Sequence, residues 1–422
     1  MNAFARAFAV AGVLLFLSAS SAFSASTQPS TRVLTYRSPQ ALKTLLARTG
    51  LKVERNLPAL HAVEVAGGTV GALPVARYVS TQPESTEPAV RDMYWVGVPY
   101  EWQYTASRVD QVPDAVLRAA SKFKIAVVDT GCDVRQPDLA AKSPEVYSVV
   151  HRMNRSDVRD YYGHGTFVAS LAAGSVTNAE GIAGFGGDAR LLCVQVAHKD
   201  GSISDVDEAA GIVYAVKHGA RIINLSLGGL EPSALESRAV RYAQRHGALI
   251  VAAAGNEFHE GNPIEYPAAL LQPKGSYGRG GRGLSVGAST LKGERAYFSN
   301  TGSYVSLAAP GNDVFAALSG YSDWSPAPLP GSSAGIYGFS SGTSFATPEV
   351  AGAAALVWAA NPALSARQVA TILKRGATGR GAWTPTLGFG ILDVAAAVEL
   401  APTIAAEHVP AAKTLLRRLP RR

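Results

Sequence analysis

From about residue 100 to residue 400 the chain alternates short, unbroken apolar runs with amphipathic segments. "KIAVVDTG", "ARLLCVQVA", "ARIINLSLGG", "ALIVAAAGN" and "GLSVGAST" read as strands. Between and after them, "GHGTFVASLAAG", "DVDEAAGIVYAVKHGA", "SALESRAVRYAQRHG", "TSFATPEVAGAAALVWAAN" and "SARQVATILKRGA" read as helices. A strand that is apolar at every position, and not at every second one, has to be covered on both faces. Such strands alternating with helices predict an α/β fold, a parallel β-sheet flanked by helices in three layers. The 422 residues suit one large domain of this kind with extensions, and no repeat of fixed period runs through them.

The extensions read differently. In "MNAFARAFAVAGVLLFLSASSAFSAS" Arg6 precedes an apolar run from Ala7 to Leu17, followed by small residues. That is the pattern of a secretory signal peptide, 1–24, and the run is too short for the ~18–20 apolar residues of a membrane span. Export places the chain outside the cytoplasm: secreted, periplasmic or at the cell surface. Residues 31–84 form a small α+β unit, with "RVLTYR" a strand, "SPQALKTLLARTG" a helix capped by Ser38 and stopped by Gly50, "LKVERNLPALHAVEVA" one or two strands and "ARYVSTQPE" another. A polar, Pro-containing linker follows, reaching residue 91. Residues 271–282 and 318–340 are rich in Gly, Ser and Pro and read as surface loops. The tail, 402–422, holds Arg417, Arg418, Arg421 and Arg422. The net charge of +7 is modest for this length, and no basic stripe with interleaved aromatics crosses the body, so nucleic-acid binding is not expected. Cys132 and Cys193 sit in or beside buried strands. Export permits a disulfide, and a free core thiol fits the same positions.

Four residues at strand ends or helix starts carry chemistry. Asp129 ends "KIAVVD", where an unpaired carboxylate is costly to bury. His164 lies between two glycines at the start of an apolar helix. Asn256 follows "IVAAAG". Ser344 opens the long helix in "SSGTSFATPEVAG". A nucleophilic Ser needs a base, the base needs an orienting group, and the oxyanion needs donors. Taken singly, each residue also fits a turn or a helix cap, and Ser344 in particular sits where a hydroxyl N-cap belongs.

Together they resemble the subtilisin-like serine peptidase family. "VVDTGCD", "GHGTFVAS" and "SSGTSFATPEVAG" occur in that family's order, and "GARIINLSLGG", "AAAGN", "EYPAA" and "YFSNTGSYVSLAAPG" match the segments between. The resemblance covers roughly residues 100–400 and implies a secreted serine endopeptidase domain over 92–401. It implies a catalytic triad of Ser344 as nucleophile, His164 as base and Asp129 as its orienting acid, with Asn256 and the Ser344 N–H as oxyanion donors. Ser226, Leu227 and Gly228 would pair with substrate backbone, with Gly201 and Ser202 on the other side. Residues 25–91 would be an inhibitory propeptide, the chain's own intramolecular partner, and the enzyme a monomer acting on proteins or peptides. Phe345 stands where the family usually has Met, and Glu349 where it usually has His. An ester hydrolase is disfavoured, because no Gly follows two residues after Ser344. A catalytically silent peptide-binding relative remains the alternative function.

The resemblance places Glu265 at the floor of the specificity pocket, which implies a preference for Lys or Arg before the cut bond. Arg91, 38 residues before Asp129, is then a fitting end for the propeptide. No cofactor is needed for the chemistry. Calcium is the family's usual structural cation. Asp138 matches one ligand position, while "GSVTNAEGIAG" matches the rest poorly. Asp133, Glu257 and Glu260 read as exposed acids or as ligands.

Overall fold

The structure is a computed structural model describing residues 31–66, 78–79, 101–150, 155, 157–178, 181–272, 275–281, 283–323 and 336–404. The expected signal peptide, Arg91 and the tail beyond residue 404 lie outside them. Thr31–Thr35 (β1), Lys52–Leu57 (β2) and Ala62–Ala66 (β3) make an antiparallel sheet ordered β1-β3-β2, accompanied by the helix Pro39–Thr49 (α1). Ser38 Oγ accepts from Ala41 N at 3.2 Å, and Gly50 ends the helix at φ 65°, as the sequence predicts. Leu51, Val63 and Val65 form this unit's own core beneath Leu42 and Leu46. The last expected strand contributes Tyr78–Val79 (β4), which pairs outside this sheet.

The main sheet has seven parallel strands. They are Lys124–Asp129 (β5), Glu145–Ser148 (β6), Arg190–Gln195 (β7), Ile222–Leu225 (β9), Leu249–Ala253 (β10), Leu284–Ser289 (β11) and Leu307–Pro310 (β12), with Ile203–Ser204 (β8) lying outside the sheet. Their order is β12-β11-β10-β9-β5-β7-β6. β5 is buried at every position, and its successive residues face opposite layers. Ile125 and Val127 join one apolar cluster, while Ala126 and Val128 join the other. The first cluster lies under His164–Ala173 (α2) and Thr343–Ala360 (α5), whose residues 343–358 are all buried. The second lies under Asp205–Lys217 (α3) and Ala234–Arg245 (α4). Ala366–Gly376 (α6) and Val394–Leu400 (α7) complete the first face. The three layers are those the apolar runs require.

One sequence expectation is revised and one open question is answered. Part of 318–340 is not loop: Tyr337–Ser340 (β14) forms an antiparallel hairpin with Val314–Ala317 (β13). Cys132 and Cys193 are bridged, with their Cα atoms 6.2 Å apart. Parallel pairing of β5 with β7 puts Val127 opposite Cys193, which brings the two thiols within reach.

The N-terminal unit packs on the main body at α3 and α4. Leu57, Leu60 and Ala62 belong to the same apolar cluster as Ala210, Val213, Leu235 and Ala239. Arg55 Nη1 bonds Asp207 Oδ1, its Nη2 donates to Val149 O at 2.8 Å, and Arg238 donates to Leu60 O at 3.1 Å. β4 pairs antiparallel with β8, with Tyr78 opposite Ser204 and Val79 opposite Ile203.

Candidate active site

All seven main strands point the same way, so the residues that follow them collect at one edge of the sheet, where α/β folds build their sites. Asp129 is the last residue of β5, His164 the first of α2, and Ser344 the second of α5. Ser226–Gly228 follows β9 and Ala254–Asn256 follows β10.

His164 Nδ1 lies 2.7 Å from Asp129 Oδ1, and both side chains are buried. Thr130 N also donates to Asp129 Oδ1, at 2.7 Å. A carboxylate can only accept, so Nδ1 carries the proton of this bond, and in the neutral imidazole the free lone pair is then on Nε2. That Nε2 is buried and has no hydrogen-bond partner among the described residues. A Cβ on Gly165 would sit 2.2 Å from Gly131 O, so the turn of α2 after His164 presses directly on the loop after Asp129.

Asp160, which the sequence reading passed over, ties these two loops together. Its Oδ1 accepts from Thr130 Oγ1 at 2.8 Å and from Gly163 N at 2.7 Å. Its Oδ2 accepts from Thr166 N and Thr166 Oγ1, both at 2.7 Å. The two hydroxyls accept in turn, Thr130 Oγ1 from Gly165 N at 2.8 Å and Thr166 Oγ1 from Asp133 N at 3.0 Å. Each hydroxyl proton is therefore committed to Asp160, which receives four bonds and gives none. Burial pushes the Asp160 pKa up against these bonds. Asp133, expected as an exposed acid or a ligand, is buried instead and pairs with Arg135 and with Gly320 N.

The start of α5 differs from a hydroxyl-capped helix. Its N-cap is Gly342, and no side chain caps it. Thr343 N and Thr343 Oγ1 both donate to Asn256 Oδ1 at 2.8 Å. Two donors on the carboxamide oxygen fix its orientation, which leaves Nδ2 as the end available to an incoming acceptor. Ser344 Oγ donates to Ser226 O at 3.4 Å, and Ser226 Oγ donates to Ser344 O at 2.6 Å. The Phe345 ring packs 5.6 Å from His164.

Beyond Asn256, Glu265 lies between the two segments that flank the site. A Cβ on Gly228 would meet Glu265 Oε2 at 2.2 Å, and one on Gly255 would meet Glu265 Cδ at 2.8 Å. Glu265 is 8% exposed, and its carboxyl touches that of Glu257. Burial first, then Glu257, pushes its pKa up to about 9. Gly229 and Tyr266 close this wall by exchanging backbone bonds, each 2.9 Å. Gly201 precedes β8, on which β4 already lies. Asp138 stands apart. Its oxygens accept from Asn178 Nδ2 at 2.8 Å and Ile182 N at 3.0 Å, and N–H donors on both oxygens do not fit a cation ligand. Among the described residues no group of three or more His, Cys, Asp or Glu could hold a metal.

Comparison with known proteins gives a consistent result. The model of the subtilase family, described as peptidase S8, matches residues 120–390. The thermophilic serine proteinase of Bacillus sp. (strain AK1) is 37% identical over 267 residues, covering 63% of this chain and 59% of that protein. The chain thus spans less than two thirds of that relative. Thermitase of Thermoactinomyces vulgaris is 35% identical over 257 residues, covering 60% of this chain and 81% of that protein. The crystal structure of fervidolysin from Fervidobacterium pennivorans, a keratinolytic enzyme related to subtilisin, aligns with a TM-score of 0.70. The identity is 22%, over 88% of this chain and 61% of that one.

Proposed function

The chain belongs to the subtilase family, and from that premise we propose that it is a secreted serine endopeptidase made as a self-inhibited zymogen. The observation that carries the reading is the 2.7 Å contact of His164 with Asp129, with Nε2 left without a partner among the described residues. In this reading Ser344 turns its hydroxyl from Ser226 O to Nε2 and attacks the peptide carbonyl. His164 then passes the proton to the leaving amine, and Asp129 stabilises the imidazolium. Asn256 Nδ2 and the Ser344 N–H take the oxyanion, at a helix N-terminus whose dipole favours negative charge.

The substrate backbone runs between Ser226–Gly228 and Gly201–Ser202, adding a strand to the cleft. The pairing of β4 with β8 supports an inhibitory propeptide, because it lays the chain's own segment along that edge. Docking through Arg55 and Leu60 supports it too. Glu265 supports a preference for Lys or Arg before the cut bond, and Arg91 then ends the propeptide.

Labelling with a fluorophosphonate, lost in Ser344→Ala, tests the nucleophile. A protein that binds peptides but takes no label from the wild type is the silent relative instead. N-terminal sequencing of secreted wild type beside Ser344→Ala tests processing. The reading expects a new N-terminus at Asp92 in the wild type alone.

A further inference from the structure

Three exposed arginines, Arg241, Arg245 and Arg367, surround a cavity of about 450 Å³ where α4 faces the start of α6. Arg241 and Arg245 lie one turn apart on α4, and Arg367 is the second residue of α6. Ala248, Leu249 and Ala370 supply its apolar wall. Among the described residues no Asp, Glu or aromatic side chain lines the cavity, and none of the three arginines has a salt-bridge partner. Arg221 adds a further charge between the same two walls. Its carbonyl accepts from Leu249 N at 2.9 Å, and its Nη2 donates to Leu364 O at 3.3 Å. Its Nε is buried with no partner among the described residues.

Folding alone does not call for this arrangement. α4 is packed through Leu235, Ala239, Val240 and Ala243, without help from Arg241 or Arg245. Like charges four residues apart on a helix repel. Lys374, further along α6, is near enough to Arg367 to repel it as well. Arg245 suits the negative end of the α4 dipole, but Arg367 stands in the first turn of α6, where the dipole disfavours a cation. Cations gathered against local preference around one concave site point to an anion that relieves them.

We propose that this cavity is a binding site for a phosphate ester. Guanidinium groups bond phosphoryl oxygens in pairs, and a phosphoryl group offers more oxygens and charge than one carboxylate to three such donors. The cavity exceeds a single phosphate ion and falls in the range of small-molecule sites, so the group that carries the phosphate lies against Ala248, Leu249 and Ala370. With no aromatic lining, nothing there stacks a nucleobase. Leu249 opens β10 and Asn256 follows its far end. At least the length of that strand, roughly 13 Å, lies between the cavity and the catalytic edge, so the ester binds without meeting the substrate.

The test uses the secreted chain carrying Ser344→Ala, which cannot digest itself in the reading above. Titration calorimetry follows glycerol 3-phosphate and inorganic phosphate at ionic strength matched with NaCl. Co-sedimentation follows vesicles of phosphatidylglycerol against vesicles of phosphatidylcholine. Saturable binding of glycerol 3-phosphate marks a soluble ester, and binding to phosphatidylglycerol alone marks a lipid headgroup. Either supports the site if Arg241→Gln and Arg367→Gln each weaken it by about tenfold or more. The same two substitutions made with Ser344 intact should leave peptide hydrolysis unchanged, which shows that the fold survives them. No saturable binding of either probe overturns the proposal, as does binding that survives both substitutions. Inorganic phosphate that binds as tightly as the ester overturns it too, because the apolar wall would then hold nothing.

Discussion

Asp160 and Glu349 are both carboxylic acids with no exposure to solvent, and they are held in opposite ways. Asp160 receives four hydrogen bonds, two from backbone N–H groups and two from hydroxyls. Glu349, inside α5, has no partner on either oxygen among the described residues. Burial pushes both pKa values up, but only at Asp160 do hydrogen bonds oppose the rise. The difference separates a charge used to fix geometry from an acid that folding keeps neutral. Replacing each carboxyl with the matching carboxamide should therefore give opposite results.

At Asp160 the carboxamide turns one acceptor into a donor that faces N–H or O–H groups with nowhere to turn. Asp160→Asn is expected to lower kcat by about 10²-fold through displacement of His164. It should also lower stability by about 2–4 kcal/mol from the unpaired donors. The loss should fall in kcat with KM little changed, since Asp160 touches the loop after Asp129 and the start of α2, not the substrate strands. Wild-type kcat in Asp160→Asn would remove the distinction drawn above. The Cys132–Cys193 bridge holds the same loop from the other side, so Cys132→Ala with Cys193→Ala asks which tie sets the geometry. Its closed loop, 61 residues in sequence separation, predicts a stability loss of up to about 4 kcal/mol. Urea unfolding in a Ser344→Ala background measures it without self-digestion. Catalysis by the folded double variant should stay near wild type if Asp160 carries the positioning.

That Asp129, His164, Ser344 and Asn256 gather at one edge of the sheet was legible because each stands where an apolar run stops or starts, and the runs themselves fix the sheet. Asp160 was not, because "RDYYG" reads as a polar turn and three of its four bonds reach Thr130 and Thr166 across a fold the spacing does not reveal. A signal existed: Thr130 directly follows Asp129, and Thr166 comes two residues after His164, both hydroxyls beside chemistry-bearing residues. The expected hydroxyl cap of α5 failed for a related reason. Thr343 is drawn into a tertiary contact with Asn256, so Gly342 takes the cap position. β14 was missed because "GIYGFSS" has neither the alternation nor the apolar run of a strand. The bridge stayed open because it depends on which strand lies beside β5.

The carboxamide at Glu349 should be tolerated and should change the pH response. Its pKa is raised in the folded protein, so folding holds a proton that the unfolded chain releases above the ordinary Glu range. Stability is then full below that range and declines as pH rises toward the raised folded value. Glu349→Gln has no proton to hold. It should match the wild type near pH 4 and gain on it by up to about 1.4 kcal/mol per pH unit above that range. Parallel stability–pH curves for the two proteins would mean that Glu349 is ionised and has a partner.

Glu236 lies between the two cases and should show the smallest effect. Its Oε2 accepts from Ser233 N at 3.4 Å in a capping box at the start of α4, while Oε1 is buried without a partner. Burial is the main cause that pushes its pKa up to about 8, with Asp205 adding to it and the Ser233 bond opposing it. A carboxamide oxygen can keep the cap bond, and its NH2 then fills the place of an oxygen that accepted nothing. Glu236→Gln is thus expected to change stability by less than about 1 kcal/mol at pH 4, where both proteins carry a neutral group at this position. It should also remove part of the decline between the ordinary Glu range and pH 8, the window in which the folded protein holds the Glu236 proton and the unfolded chain does not. Urea unfolding at pH 4 and pH 8 reads both. If Glu236→Gln cost as much as Asp160→Asn, burial and not the number of donors would set the cost of the change, and the distinction between the two kinds of buried acid would fail.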